Sequence, residues 1–103
     1  MKKVLAIALM TAAGLVVSGQ AAADEALAKA KGCLACHTVD KKLIGPTYKE
    51  VAAKYSAADS ATLVNKILEG GTGVWGNVPM TPNKATVTKA DAETLVKWIL
   101  TLK

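Results

Sequence analysis

Both cysteines and the only histidine of this chain fall within five consecutive residues, Cys33-Leu34-Ala35-Cys36-His37. This crowding limits the possible folds more than any other feature, because three reactive side chains must be served by one short turn. Thiols at i and i+3 on a helical turn emerge on the same side of the backbone. The residue that follows is then carried beneath them. A C-x-x-C-H run reads as c-type haem attachment. Each thiol takes one vinyl group of the porphyrin as a thioether, and an imidazole nitrogen of His37 reaches the iron. A single motif implies a single haem. The covalent bonds hold the haem, so a small chain can leave one edge of it exposed for passing electrons outward.

Other uses of the same residues fit less well. A structural zinc site takes four ligands, usually from two separated knuckles, whereas here three candidates lie together with no second cluster. A thioredoxin-like dithiol expects a strand and helix context, and no stretch alternates cleanly enough to suggest a sheet. A disulfide across two intervening residues would be tight and would stabilise little.

The 103 residues suffice for one small domain. Residues 1–23 are not expected to belong to it. Lys2 and Lys3 form a charged start, Val4 to Val17 is apolar apart from Thr11, and Ala21-Ala22-Ala23 precedes the polar Asp24. That is the three-part layout of a secretory signal peptide, with cleavage after Ala23 and export to the periplasm. A retained anchor is the alternative, but the apolar run is shorter than the ~20 residues of a membrane span. No cysteine near the cleavage point offers a lipid attachment site. The remaining domain, residues 24–103, has eleven lysines, no arginine and eight acidic residues, a net charge of +3 once Lys2 and Lys3 are gone. The lysines are dispersed, with no basic face and no aromatic readers of the kind nucleic-acid binding needs. A weak attraction to acidic proteins is what such a charge supports.

The domain reads as all-α. Residues 24–31 are alanine-rich with acids at the start, which suits a helix N-terminus. Residues 38–47 form a loop punctuated by Gly45-Pro46. Residues 47–55 form a short helix with Tyr48, Val51, Ala52 and Tyr55 on one face. Asp59 or Ser60 is expected to cap a third helix whose Val64, Ile67 and Leu68 share a face, and Gly70-Gly71 stops it. Residues 72–87 form a long loop rich in Gly, Pro and Asn; a loop of that length in so small a domain is usually functional. Thr88, with Asp91 three residues on, begins a last helix. Its expected buried stripe is Ala92, Leu95, Val96, Ile99 and Leu102, with Trp98 at the edge. The chain has no Phe, and only Tyr48, Tyr55, Trp75 and Trp98 as aromatics. A domain this small buries a modest core, and a large apolar cofactor would complete it.

His37 being the only histidine, two histidine ligands from one chain are excluded. The other face of the iron takes Met, Lys, water or nothing. The domain holds one methionine, Met80, since Met1 and Met10 lie in the leader. An isolated methionine is ordinarily core filler. Met80, however, lies in the long loop between Pro79 and Thr81-Pro82 and not on an apolar helix face. Two short helices separate it from His37, enough chain to reach the opposite side of a haem. It is therefore the candidate axial ligand. Thioether ligation raises the reduction potential, and an iron with both positions filled suits electron transfer.

Taken together, Gly32-Cys33-Leu34-Ala35-Cys36-His37, Ile44-Gly45-Pro46-Thr47-Tyr48-Lys49, Gly73-Val74-Trp75-Gly76-Asn77-Val78-Pro79-Met80 and the closing Lys97-Trp98-Ile99-Leu100 resemble the short bacterial class I cytochromes c, the c-551/c-552 (cytochrome c8) family. The resemblance covers essentially all of residues 24–103. It implies the small cytochrome c fold, four or five short helices wrapped around one covalent haem c. It implies that the Pro46 carbonyl accepts the free ring N–H of His37, a bond of the kind that sets ligand basicity. It implies that Trp75 donates to a haem propionate, that the Asn83 amide lies near the Met80 sulfur, and that Lys66 lies near a propionate. Where the family often has Pro directly after the methionine, this chain has Thr81 and then Pro82.

The function expected is that of a periplasmic one-electron carrier, not an enzyme. It would be a monomer without a membrane anchor after cleavage and would not bind nucleic acid. A membrane cytochrome complex is the expected donor, and a terminal oxidase, nitrite reductase or peroxidase the acceptor. Electrons would pass at the thioether edge near Cys33 and Cys36, with Lys31, Lys41 and Lys42 placed to steer a partner. Two alternatives remain: a gas sensor in which Met80 is displaced, and a peroxidase, which needs a vacant iron position and a distal acid–base group.

Overall fold

The computed structural model describes residues 24–103; the signal-peptide expectation for residues 1–23 lies outside them. Among these residues four α-helices follow one another: α1 (residues 24–30), α2 (Tyr48–Lys54), α3 (Ser60–Glu69) and α4 (Lys89–Ile99). Single 3-10 turns lie at Cys33–Ala35 and Ala57–Asp59. Among the described residues the one β feature is an isolated antiparallel bridge between Gly71 and Met80.

The helices begin where side chains satisfy their free N–H groups. At α2 the Thr47 hydroxyl accepts from the Glu50 N–H at 3.0 Å, and the Glu50 carboxylate accepts from the Thr47 N–H at 3.0 Å. Thr88 and Asp91 make the same reciprocal pair at α4. Loss of such a cap costs about 0.5–2 kcal/mol. The expected cap of α3 differs. Asp59 stands at the N-cap position but makes no cap bond to α3. Its carboxylate turns back to the Ser56 N–H at 2.9 Å and closes the 3-10 turn that runs directly into the helix. Two consecutive start signals compete there, and the first takes the carboxylate.

α3 ends at Gly70, which has φ +73° and returns its N–H to the Lys66 carbonyl at 2.8 Å. A side chain at Gly70 would be strained by that backbone and would also run into the backbone of Met80 to Pro82, which crosses close by. The stop signal is thus also the passage through which the long loop returns.

The core is formed by Ala28 of α1, Tyr48 of α2, Val64 and Ile67 of α3, Val87, and Ala92, Leu95, Val96, Trp98 and Ile99 of α4. The expected stripe of α4 needs two changes: Trp98 is inside, only 7 % exposed, and Leu102 is half-buried. The helix ends at Ile99, so Leu102 leaves the stripe, while Trp98 turns its ring edge to Tyr48 with centroids 5.6 Å apart. Lys31 is drawn onto α4: its ammonium donates to the Thr86 carbonyl at 3.0 Å and lies 3.7 Å from Asp91. It serves to tie α1 to α4, which competes with the steering role expected for it.

Candidate haem-attachment site

The motif is folded by one carbonyl. Cys33 O accepts from Cys36 N at 3.3 Å and from His37 N at 3.0 Å, so a single turn carries both thiols and the imidazole. Both thiols are free and half-buried. Burial pushes the Cys33 thiol above its ordinary pKa, opposed in part by a hydrogen bond with Tyr48. The unloaded protein therefore holds it as a thiol at neutral pH and not as a thiolate.

The loop after the motif is fastened back onto it. Gly45 N donates to Cys36 O at 2.8 Å, Tyr48 N to Thr38 O at 2.9 Å, and Lys49 N to Val39 O at 3.1 Å. These bonds bring the Pro46 carbonyl to 2.8 Å from His37 Nδ1. A carbonyl only accepts, so Nδ1 carries the proton, and in the neutral ring Nε2 keeps its lone pair. An imidazole in that tautomer can serve as a metal ligand, with its orientation already set.

Two residues at this site were not singled out for it in the sequence. At Gly45 a Cβ would lie 2.5 Å from His37 Cε1 and 2.8 Å from Nδ1. The glycine is there so that the imidazole can rest against bare backbone. Tyr48 lies parallel to the imidazole, with centroids 5.2 Å apart and planes at 19°. Behind it, Trp98 meets Tyr48 edge-on at 78°. A line of three rings thus connects His37 to the core of α4, and aromatic pairs of this kind contribute about 0.5–1.5 kcal/mol each beyond their burial. Burial, with Cys33 adding to it, pushes the Tyr48 phenol far above its ordinary pKa. In the sequence Gly45 looks like loop punctuation and Tyr48 like one side of an amphipathic helix. Only their position one and two residues from a ring-binding carbonyl hints at more.

Met80 is held by its own backbone. Its N–H donates to Gly71 O at 2.7 Å and its carbonyl accepts from Gly71 N at 3.1 Å. Its side chain is half-buried and, like Cys33, packs against the core cluster. Asn83 secures the return of the loop. Its amide nitrogen donates to the Ile67 and Thr81 carbonyls at 3.1 Å each, and its backbone N–H reaches the end of α3. Trp75 is 42 % exposed, and its ring lies beneath the Lys54 ammonium at 5.5 Å. Lys66 lies across Gly71, where a Cβ would meet its Nζ at 2.7 Å. The structure thus joins Cys33, Cys36, His37 and Pro46 directly, and joins Met80 to the end of α3.

The Cytochrome c family pattern matches residues 21–103. The chain belongs to the cytochrome c family. It is 51% identical over 94 residues to cytochrome c-552 of Nitrosomonas europaea, covering 89% of this chain and 90% of that one. It is 44% identical to cytochrome c-551 of Pseudomonas aeruginosa over the full length of both. The crystal structure of wild-type Nitrosomonas europaea cytochrome c552 superposes with a TM-score of 0.73 at 48% identity, over 77% of this chain and 99% of the other. The resemblance to the c-551/c-552 group and the all-helical cytochrome c fold both stand.

As a member of this family the chain carries haem c and is an electron carrier that works with redox partners; it is not an enzyme. Its own residues fit that group. The thiols are unpaired on one turn, and the imidazole presents Nε2. Among the described residues, the five large apolar side chains left exposed, Leu43, Ile44, Val74, Trp75 and Val78, all lie in the two loops that carry Pro46 and Met80. A domain this small does not ordinarily leave so much apolar surface in two loops, and a bound flat apolar group would account for it. Among the described residues no helix is long and apolar enough to cross a membrane.

Proposed function

We propose that this cytochrome is a periplasmic one-electron carrier whose haem is bound through Cys33 and Cys36 and whose iron is ligated by His37 and Met80. The observation that carries the ligand assignment is the 2.8 Å bond between His37 Nδ1 and the Pro46 carbonyl, which reserves Nε2 for the metal. Met80 supplies the second ligand because it is the one thioether of residues 24–103 and its backbone is fixed on both sides by Gly71. When bound, the haem supplies an iron that alternates between ferrous and ferric. The residues around it keep its geometry constant: Pro46 holds the imidazole, and Pro79 and Pro82 stiffen the loop on either side of Met80. A site that need not rearrange between the two states exchanges electrons readily.

Trp75 is the proposed donor to a haem propionate and Asn83 the proposed neighbour of the Met80 sulfur. Residues 1–23 are the proposed signal peptide, leaving residues 24–103 as a monomeric domain without an anchor. Its proposed donor is a membrane cytochrome complex, and its acceptor a terminal oxidase, nitrite reductase or peroxidase.

The test is the visible spectrum of the purified protein, oxidised and reduced, with acid-acetone extraction. Haem that stays with the polypeptide, together with a weak near-red sulfur-to-iron band in the oxidised form, is the expected result. Covalent haem without that band removes Met80 from the iron. Haem that extracts removes the thioethers.

A further inference from the structure

Residues 72–79, which lead into Met80, are all exposed. Their hydrogen bonds stay within the segment: Thr72 Oγ1 faces the Gly76 and Asn77 carbonyls at 3.4 Å each, and Gly73 N donates to Gly76 O at 3.0 Å. None of these eight residues packs against the core cluster. A cation–ring contact reaches from this arc to α2. The Lys54 ammonium, on the last residue of α2, lies 5.5 Å from the centroid of the Trp75 ring and 5.8 Å from that of Tyr55.

We infer that Lys54 is a positioning residue for the Met80 ligand: its ammonium, held between Tyr55 and Trp75, clamps the loop to α2. The chemistry is specific to a cation. A charge within about 6 Å of an aromatic centroid is drawn to the ring face, most strongly for Trp. Tyr55 belongs to the chain that leaves α2, so one side of the clamp is fixed. Trp75 belongs to the exposed arc, so the other side is the part being held. Five residues on, the arc ends at Met80, whose two bonds to Gly71 are the next fastening. With Lys54 in place, the loop is secured at Trp75 and at Met80. Without it, residues 72–79 lose their contact with α2, and the thioether is released more often. The inference rests on the proposed ligation by Met80.

The experiment uses the full holoprotein in the ferric state with imidazole as a neutral probe, so that removing a charge does not itself alter the encounter. Imidazole can enter only when Met80 leaves, and its binding rate therefore reads the population of the released loop. An exposed cation–ring contact corresponds to a change of about two- to fivefold. Lys54→Gln should raise the imidazole binding rate by that factor. Lys54→Arg should return it close to the native value, since guanidinium also stacks on aromatic faces. Trp75→Leu should raise it at least as much, and adding Lys54→Gln to Trp75→Leu should change little further. Amide exchange at Met80 should follow the same order. An unchanged rate in Lys54→Gln, or equal effects of Gln and Arg, overturns the clamp while the near-red band of the native protein upholds the ligation. Absence of that band from the native protein overturns the ligation, and the clamp with it.

Discussion

Replacing Gly45 by alanine adds one methyl group where the structure has no room. The new Cβ would lie 2.5 Å from His37 Cε1, 2.8 Å from Nδ1 and 3.1 Å from Nε2. Carbon atoms rest at ~3.5–4.0 Å, so the two groups must separate by roughly 1 Å. Tyr48 backs the imidazole at 5.2 Å, and Gly45 is itself bonded to Cys36. Either the ring leaves its carbonyl or the backbone at residues 45–46 retreats, and both lengthen the 2.8 Å bond from His37 Nδ1 to Pro46. Overpacking costs ~1–3 kcal/mol, and the lost hydrogen bond ~0.5–1.5 kcal/mol. The stiffer unfolded chain of alanine offsets ~0.4–1 kcal/mol. The net loss is about 2 kcal/mol, which for a domain of this size lowers Tm by roughly 8–16 °C. The same change should raise the reduction potential, because an imidazole without its acceptor is less basic and supports ferric iron less well. Thermal unfolding followed by the haem absorbance, together with a potentiometric titration of the same sample, measures both. A variant with native Tm and native potential would show that Gly45 is not a spacer for the imidazole, and the argument built on this contact would be wrong.

Other outcomes follow from the same geometry. Met80→Ala should lower the reduction potential, abolish the near-red band and admit imidazole without delay; an unchanged potential would remove Met80 from the iron. Cys33→Ala combined with Cys36→Ala should yield a polypeptide without covalent haem, as read by extraction and mass. The Glu50 carboxyl is held below its ordinary pKa by the Thr47 N–H and hydroxyl. Its contribution is therefore present above the unfolded pKa of about 4.5 and is lost as pH falls through the lower folded value. Denaturant unfolding at a series of acidic pH values should show less of this loss in Glu50→Gln than in the native protein. The Tyr48 phenol, raised mainly by burial, behaves oppositely. It contributes stability in full below the unfolded pKa of about 10, and that contribution fades as pH rises beyond it. Tyr48→Phe should make alkaline unfolding less steep, and an unaltered slope would mean the phenol is not buried as described.

Much of the architecture was legible because its signals are local. Thr47 with Glu50 and Thr88 with Asp91 mark helix starts by their spacing alone, and the structure holds both pairs. The Gly70-Gly71 stop was equally plain. Reading failed where two local signals overlapped or where a partner lay far along the chain. Asp59 caps the turn before α3 and not the helix, because Ser56 offers its N–H first. Trp98 lies inside and not at the edge, because Tyr48, fifty residues earlier, presents a ring for it to meet. Lys31 is engaged by Asp91 and Thr86, a pairing that periodicity within α1 cannot reveal.

The candidate site divides in the same way. The sequence by itself determined the chemistry: two thiols and an imidazole on one turn, a single histidine, and a single methionine in residues 24–103. These are properties of composition and short-range spacing, and they do not depend on how distant segments meet. Only the tertiary structure decided how the imidazole is held: Pro46 on its Nδ1, bare backbone at Gly45 against its edge, and Tyr48 stacked behind it with Trp98 edge-on beyond. It also decided what fastens the Met80 loop, namely Gly71 through the backbone and Lys54 through Trp75. Such contacts join residues 8 to 50 positions apart in the chain. Their existence depends on the packing of whole helices, which no local pattern encodes.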